Sequence, residues 1–417
     1  MLKKWKVTFR TLSPIHIKGQ RPDYGMGIIV LDNQSRIGYI VDQKKWADFL
    51  MQSKNYLNEY VQEFSQPWKF KEEGINDFLR RRDLLNENTV KQISSGITCV
   101  GDGNSFICDG RGNYFIPGTS MKGAIRTSFL YNFLKELKNS NNETFRNRVV
   151  SKIENKLKEY SKVQSTYINA KRQNNRQEER NKRREMDNIK RSFDKDIVEN
   201  EFMNFLDDMV KNGIVKVGPN TDLLRTVKVS DSKIDEVQRE NIRVICFRNN
   251  GSSYFGKTKR RDGTERQISL DYECLHEDTE FKTDILLDFE LLSKFYPDDK
   301  IKINDISSLI NIIKEFGECQ WIEERNFFNK VQETQKIKEF YNQNISHPVL
   351  RVGWGTGMLG TTIDLLLDPP LRQRIRNEVM GHNRPGLPAP HSKKIVMRSN
   401  IATFPLGWVK IEAWKEE

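Results

Sequence analysis

Strands interleaved with helices in both halves of this 417-residue chain predict an α+β fold of two domains. Three observations carry the prediction. Runs of alternating apolar and polar residues open and close the chain, helical stretches with apolar residues one turn apart lie between such runs, and the mixed texture repeats in the second half. The length suits two domains of ordinary size, placed at residues 1–238 and 239–417. A long basic helical insertion, at about 138–200, falls in the first.

The first strand shows in Trp5, Val7 and Phe9 alternating with Lys6, Thr8 and Arg10. It runs into Leu12-Ser13-Pro14-Ile15-His16-Ile17-Lys18-Gly19, where Pro14 and Gly19 break the pattern. Ile28 to Leu31 turns at Asp32-Asn33 and returns through Ile37 to Val41, and residues 43–92 read as polar helix carrying Trp46, Phe49, Leu50, Tyr56 and Trp68. A glycine-rich stretch, Gly101 to Gly112, precedes Tyr114-Phe115-Ile116-Pro117-Gly118-Thr119-Ser120-Met121-Lys122-Gly123-Ala124-Ile125-Arg126. This reads as strand, tight turn and long helix, with Ser120 as N-cap and Met121, Ile125, Phe129, Phe133 and Leu137 stepping by four behind it. Beyond residue 138 apolar residues thin out. Lys171 to Arg191 holds nine cations and four acids, a net of +5, which predicts an inserted, helical, partly mobile arm. Val215 to Val217 and Leu223 to Ser232 read as strand.

In the second half Ile242 to Phe247, Tyr272 to Leu275 and Phe281 to Leu291 read as strands or helix edges, and Ile303 to Phe316 and Phe327 to Tyr341 as helices. Val349 to Val352 leads into Gly353-Trp354-Gly355-Thr356-Gly357-Met358-Leu359-Gly360. Pro388 to Lys394 reads as a basic loop, followed by a short strand and Pro405-Leu406-Gly407. In the last strand Val409, Ile411 and Ala413 face one way, Lys410 and Glu412 the other.

Composition narrows the function. With 69 Lys+Arg against 57 Asp+Glu the chain carries +12, a balance that favours a polyanion, most often nucleic acid. No apolar run reaches the length of about 18 residues that a membrane span needs. The cations of Lys3, Lys4 and Lys6 have no apolar stretch behind them, so no secretory signal is expected. Five scattered cysteines without a C-x-x-C pair speak against disulfides and structural zinc, and for a cytoplasmic protein. No two of the five histidines share metal-ligand spacing, so neither metal nor cofactor is expected.

The strongest local signal is Pro117 to Arg126. A helix start presents free N–H groups and the positive end of the dipole, with Ser120, Lys122 and Arg126 beside it as an anion site; the plainer alternative is a capped helix with surface cations. Gly118 and Gly123 have P-loop spacing, but the lysine stands before the second glycine, which rejects an NTPase. Gly355 to Gly360 matches G-x-G-x-x-G, yet Pro369-Pro370 cuts short any helix after it, which argues against a dinucleotide fold. Main-chain N–H groups of Gly353, Gly355, Gly357 and Gly360 suit a phosphodiester backbone, with Trp354 available for stacking; a tight hairpin is the bland alternative. His16 beside Lys18 and Gly19 could act as a base on a ribose 2′-OH, but lone histidines more often stack or pack. Asp231 between two serines reads as a structural turn before a metal carboxylate.

Taken in order, Leu12 to Gly19, Ile116 to Arg126, Val229-Ser230-Asp231-Ser232 and the late glycine loop resemble the RAMP superfamily of CRISPR-associated proteins, across nearly the whole chain except the basic insertion. The closing pair, His391-Ser392-Lys393-Lys394 and Pro405-Leu406-Gly407-Trp408-Val409, is similar to the fifth-numbered subunit of the Csm complex, the type III-A antiviral effector. The resemblance implies two ferredoxin-like (RRM-like) domains and a place at the head of the complex. There the subunit contacts the 3′ part of the CRISPR RNA, caps the backbone filament and supports RNA maturation by recruiting or positioning other nucleases.

Implied partners are CRISPR RNA, the backbone RAMP subunit, the small helical subunit and host nucleases, with no membrane. By position, the implied RNA-facing residues are His16, Lys18, Gly19, Ser120, Lys122, Arg126, the Gly353 to Gly360 loop, Lys393 and Lys394. The filament-forming sister subunit cuts target RNA with an acid in an N-terminal loop, and Asp23 within Arg21-Pro22-Asp23-Tyr24 matches it poorly. The expectation is therefore a non-catalytic RNA-binding subunit. The rival is a metal-independent endoribonuclease of the same fold, which uses a histidine on the first helix; residues 43–92 contain none.

Overall fold

The computed structural model describes residues 2–19, 29–32, 37–41, 43–65, 78–84, 86, 89–93, 105–109, 113–194, 218–235, 238–248, 253–254, 256–259, 265–268, 270–295, 303–332, 334–379 and 387–417. Its strands are β1 (Leu2–Thr11), β2 (Ile29–Asp32), β3 (Ile37–Val41), β4 (Val90–Ile93), β5 (Val227–Val229), β6 (Arg239–Arg248), β7 (Ser253–Tyr254), β8 (Gly256–Lys259) and β9 (Glu265–Ile268). They continue with β10 (Leu270–Leu275), β11 (Glu280–Asp288), β12 (Val349–Arg351), β13 (Ser392–Arg398), β14 (Ile401–Pro405) and β15 (Trp408–Glu416). Asp23, Trp68, Val215 to Val217 and most of Gly101 to Gly112 lie outside the described residues.

β1 is the alternating strand that its sequence predicts: Trp5, Val7 and Phe9 are buried. It lies at the centre of an antiparallel sheet ordered β12-β15-β1-β11-β5. Phe9 opposes Phe281 on β11 and the rings stack at 5.2 Å, a cross-strand pair that helps fix the register. A second antiparallel sheet, β10-β6-β13-β14, comes wholly from residues after 238. The first sheet does not respect that boundary. Its middle strand comes from the N-terminus while β11, β12 and β15 come from the second half, so residue 238 divides the chain but not this sheet.

Two long helices cover the first sheet. Gly118–Ser140 buries Met121, Ile125, Phe129 and Phe133, the four-residue step read from sequence. Ile306–Asn329 opens on a capping box between Asp305 and Ser308. Tyr131 and Phe316 meet at 4.8 Å between the two helices. Gly317 is a glycine because the helix presses onto β12: a Cβ there would lie 2.0 Å from the Val349 carbonyl oxygen. The other end of this helix, with Gln335–Asn342, forms a second core against the second sheet around Trp321, Tyr341 and Trp408. Trp321 Nε1–H donates to the Tyr341 carbonyl at 2.9 Å and Trp408 Nε1–H to the Tyr341 hydroxyl at 3.0 Å, so the buried polar tips are satisfied.

Several expectations change. Ser120 is not the N-cap, because the helix already starts at Gly118. Leu223 to Thr226 is a 3-10 turn and only Val227 to Val229 is strand. Phe327 to Tyr341 is two helices separated between Asn329 and Gln335. Pro369-Pro370 starts a helix, capped by Asp368, since proline is tolerated in a first helical turn. Lys393 and Lys394 belong to β13, not to a loop. Ala413 is exposed, because β15 leaves the core after Ile411. The basic arm is helical as expected, a hairpin of Ser151–Arg172 and Arg176–Asp194. Its root is less solvated than its composition implies: Phe145, Val149, Ile153 and Leu157 are buried in the main core.

Candidate nucleic-acid interface

Three segments far apart in sequence meet on one side of the molecule. The loop after β1 passes beside the glycine loop after β12, with Trp354 N–H donating to the His16 carbonyl at 2.7 Å. Gly353 has φ +86°, and a Cβ there would lie 2.5 Å from that same carbonyl oxygen, so glycine is required on both counts. β13 supplies Lys394, whose ammonium sits 3.7 Å from the centre of the Trp354 ring. Tyr272 of β10 stacks on Trp354 at 3.9 Å, which leaves the opposite face to Lys394. Trp354 therefore has both faces occupied by its own chain. Lys18, two residues beyond His16, is exposed and bridges through its backbone to Phe106.

His16 is fully buried among Tyr272, Trp354 and Phe106. Its Nδ1–H donates to the Glu273 carbonyl at 2.8 Å, and Nε2 is buried without a hydrogen-bond partner among the described residues. Burial pushes its pKa below the ordinary histidine value, with the contact to Glu273 opposing. A neutral imidazole walled in by rings cannot reach a ribose hydroxyl without rearrangement. It packs and orders the loop that carries Lys18.

The remaining glycines serve mainly close approach. A Cβ on Gly355 would lie 2.7 Å from Leu406, and one on Gly360 2.9 Å from Thr356. Gly357, at φ +73° and with open space around it, is the loop glycine whose backbone faces solvent. Gly19 lies against Phe106 and Ile107, its N–H donating to the Ser105 carbonyl.

The start of the long helix differs from the expected anion site. Asp231 accepts from Gly118 N–H at 2.8 Å, and a Cβ at Gly118 would lie 2.2 Å from the Val229 carbonyl oxygen. Ser120 and Met121 donate to the Pro117 carbonyl. The chain's own carboxylate thus occupies the positive end of the dipole. Arg126 pairs with Asp222 at 2.6 Å. Burial pushes the Lys122 ammonium below its ordinary value, with Asp222 opposing. Asp231 is structural here, as its turn reading predicts.

Lys393 is withdrawn entirely. It contacts Glu324, which also accepts from Arg351 Nη1 at 2.9 Å, and all three side chains are nearly inaccessible. No sequence signal marks Glu324 as their partner. Sequence reading also missed the Tyr272 and Phe106 rings around His16. Among the described residues Glu240, His276 and Glu277 come close enough to hold a metal ion. The Arg398 guanidinium already engages Glu240 and both oxygens of Glu277, and so offsets one of the two carboxylate charges.

Comparison with known proteins agrees with this architecture. The family model of the RAMP superfamily matches residues 8–357. A chain of the Csm-crRNA-target RNA ternary complex of a type III-A CRISPR-Cas system, solved by cryo-EM, matches with a TM-score of 0.55 and 20% identity, over 98% of this chain and 100% of that one. No curated protein matches the sequence. At this identity the likeness speaks to fold: curled antiparallel sheets with flanking helices, the α+β, ferredoxin-like arrangement expected.

Proposed function

The chain belongs to the RAMP superfamily, and from that premise we propose that it is a CRISPR RNA-binding subunit of a type III-A (Csm) effector complex that cuts no RNA itself. The observation that carries the reading is the meeting of the Leu12 to Gly19 loop, the Gly353 to Gly360 loop and Lys394 around Trp354. The net charge of +12 and the full-length fold likeness to a chain of a Csm-crRNA assembly support it. The subunit takes the fifth-numbered position: it contacts the 3′ part of the guide, caps the filament of backbone RAMP subunits beside the small helical subunit, and aids maturation by positioning other nucleases. The burial of His16 supports a non-catalytic role, since the residue best placed by sequence for acid–base work is held inside an aromatic nest. No helix among the described residues is long and apolar enough to cross a membrane.

The test is to incubate the purified full chain with labelled CRISPR RNA, with and without magnesium or manganese. Binding should be saturable and fall steeply with salt, as phosphate-dominated contacts do, and the RNA should stay intact. Absence of binding would overturn the proposal. Cleavage that vanishes in His16→Ala or Asp23→Ala would replace it with the endoribonuclease reading.

A further inference from the structure

The helical arm sorts its charges in a way its composition hides. Within Arg176–Asp194, Met186 and Phe193 pack with buried Ile189 against Tyr160 and Val163 of the preceding helix. That seam fixes the helix phase. At about 100° per residue, Arg176, Arg180, Arg183, Arg184, Lys190 and Arg191 then fall within an arc of about 120° away from the seam, with Asp187 the one acid in it between Arg176 and Arg191 and Asp194 at the helix end. All six cations are exposed. Lys190 lies over the Tyr160 ring at 5.6 Å, while the five arginines have no ion pair among the described residues.

The other acids between Arg176 and Arg191 fall outside that arc, Glu179 just beyond its edge beside Arg176, Arg180 and Arg183, and each has a partner. Glu178 accepts from Asn175 at 3.1 Å, Glu179 from Tyr167 at 3.4 Å, and Glu185 pairs with Lys182 at 2.8 Å. The platform is firm, since the root of the arm is buried in the main core.

We infer that this arginine stripe is a second RNA contact, which grips the phosphodiester backbone without reading its sequence. From Arg176 to Arg191 the stripe runs about 22 Å at about 1.5 Å per residue, long enough to follow several phosphates. Its apolar residues all face inward, so it lacks the wedge of a membrane-surface helix. It also lacks the aromatic anchors that carry protein–protein interfaces. Exposed guanidiniums on a helix suit phosphate oxygens, which they can engage two at a time. The inference rests on the RNA-binding reading above and adds a surface that the resemblance leaves unexplained.

The test uses the full chain with Gln at all five arginines, and a labelled single-stranded RNA of mixed sequence titrated at several salt concentrations. Affinity should fall about tenfold or more near 100 mM salt. The log–log salt slope should drop by about 2–3, the loss of three to four phosphates at about 0.7 each. The variant with Lys at the same five positions should keep most of the slope. Should the five-fold Gln variant misfold by circular dichroism, the single variants Arg180→Gln and Arg183→Gln should each lower the slope by about 0.7. If wild type binds and the Gln variants bind with unchanged slope, the stripe is not an RNA contact. Retained RNA affinity with loss of a co-purifying subunit would also overturn the inference, in favour of protein docking. Failure of wild type to bind RNA at all would instead sink the reading beneath it.

Discussion

Glu324→Gln should cost this fold far more than Lys393→Met, although the two residues share one ion cluster. Arg351 lies 2.9 Å from the Glu324 carboxylate and Lys393 contacts the same oxygen, with side-chain exposures of 3%, 1% and 9% for Arg351, Glu324 and Lys393. Two cations therefore share one carboxylate. Burial alone would push the Glu324 carboxyl up, but the charges and hydrogen bonds of Lys393 and Arg351 outweigh it and hold it below its ordinary value. Burial also pushes the Lys393 ammonium down, despite Glu324. The two directions agree once charge is counted: the carboxylate is over-compensated and the lysine is the surplus cation.

Glutamine at 324 would leave two buried cations facing each other, a loss in the range of about 3–5 kcal/mol for breaking a buried pair. Methionine at 393 would leave a neutral Arg351–Glu324 pair, with Arg351 still donating to the Leu406 carbonyl at 3.0 Å, so its cost should stay below about 1.5 kcal/mol. With an unfolding entropy near 2.1 cal/mol/K per residue, a 417-residue cooperative unit loses about 1 °C of Tm per kcal/mol, so the expected drops are about 3–6 °C against less than about 2 °C. Thermal and urea unfolding of both variants measure this. The carboxylate's contribution is complete above the unfolded value of about 4.3 and is lost as pH falls through the lower folded value, so Glu324→Gln should also flatten the acid limb of stability. Equal costs for the two variants would refute the charge arithmetic. A flatter RNA salt slope in Lys393→Met would show that Lys393 meets RNA after all.

Other consequences are equally direct. His16 is held neutral by burial, so protonation favours the unfolded chain: stability should fall as pH drops below about 6.5, and His16→Gln should flatten that fall between pH 7 and 5 in thermal melts. Gly353→Ala should destabilise by about 3 kcal/mol or more, combining a positive φ with a clash on the His16 carbonyl, while Gly357→Ala in open space should cost about 1 kcal/mol; urea titrations separate the two. Arg126→Ala should cost about 1 kcal/mol by releasing Asp222 and leave the salt slope of RNA binding unchanged, which urea unfolding and RNA titrations at several salt concentrations check.

The local periods of the sequence determined the elements that have one dominant neighbour. Alternation marked β1, and the four-residue step marked the long helix, because each periodicity records a single buried face. The chain of motifs from Leu12 to Gly360 likewise pointed to the RAMP superfamily, since such loops need particular glycines and prolines wherever they sit. Tertiary structure decided what each charged group does. Lys393 and Lys394 are adjacent and look alike, yet one strand directs them to opposite sides: one into Glu324, 69 residues away, the other onto Trp354. Arg126 looked free until Asp222 arrived, and the helix start looked open until Asp231 capped it. The interleaved charges of the arm became a stripe only when packing against Tyr160 and Val163 set the helix phase. A charge's partner comes from distant chain brought near by packing, and side-chain periodicity contains no information about that distance.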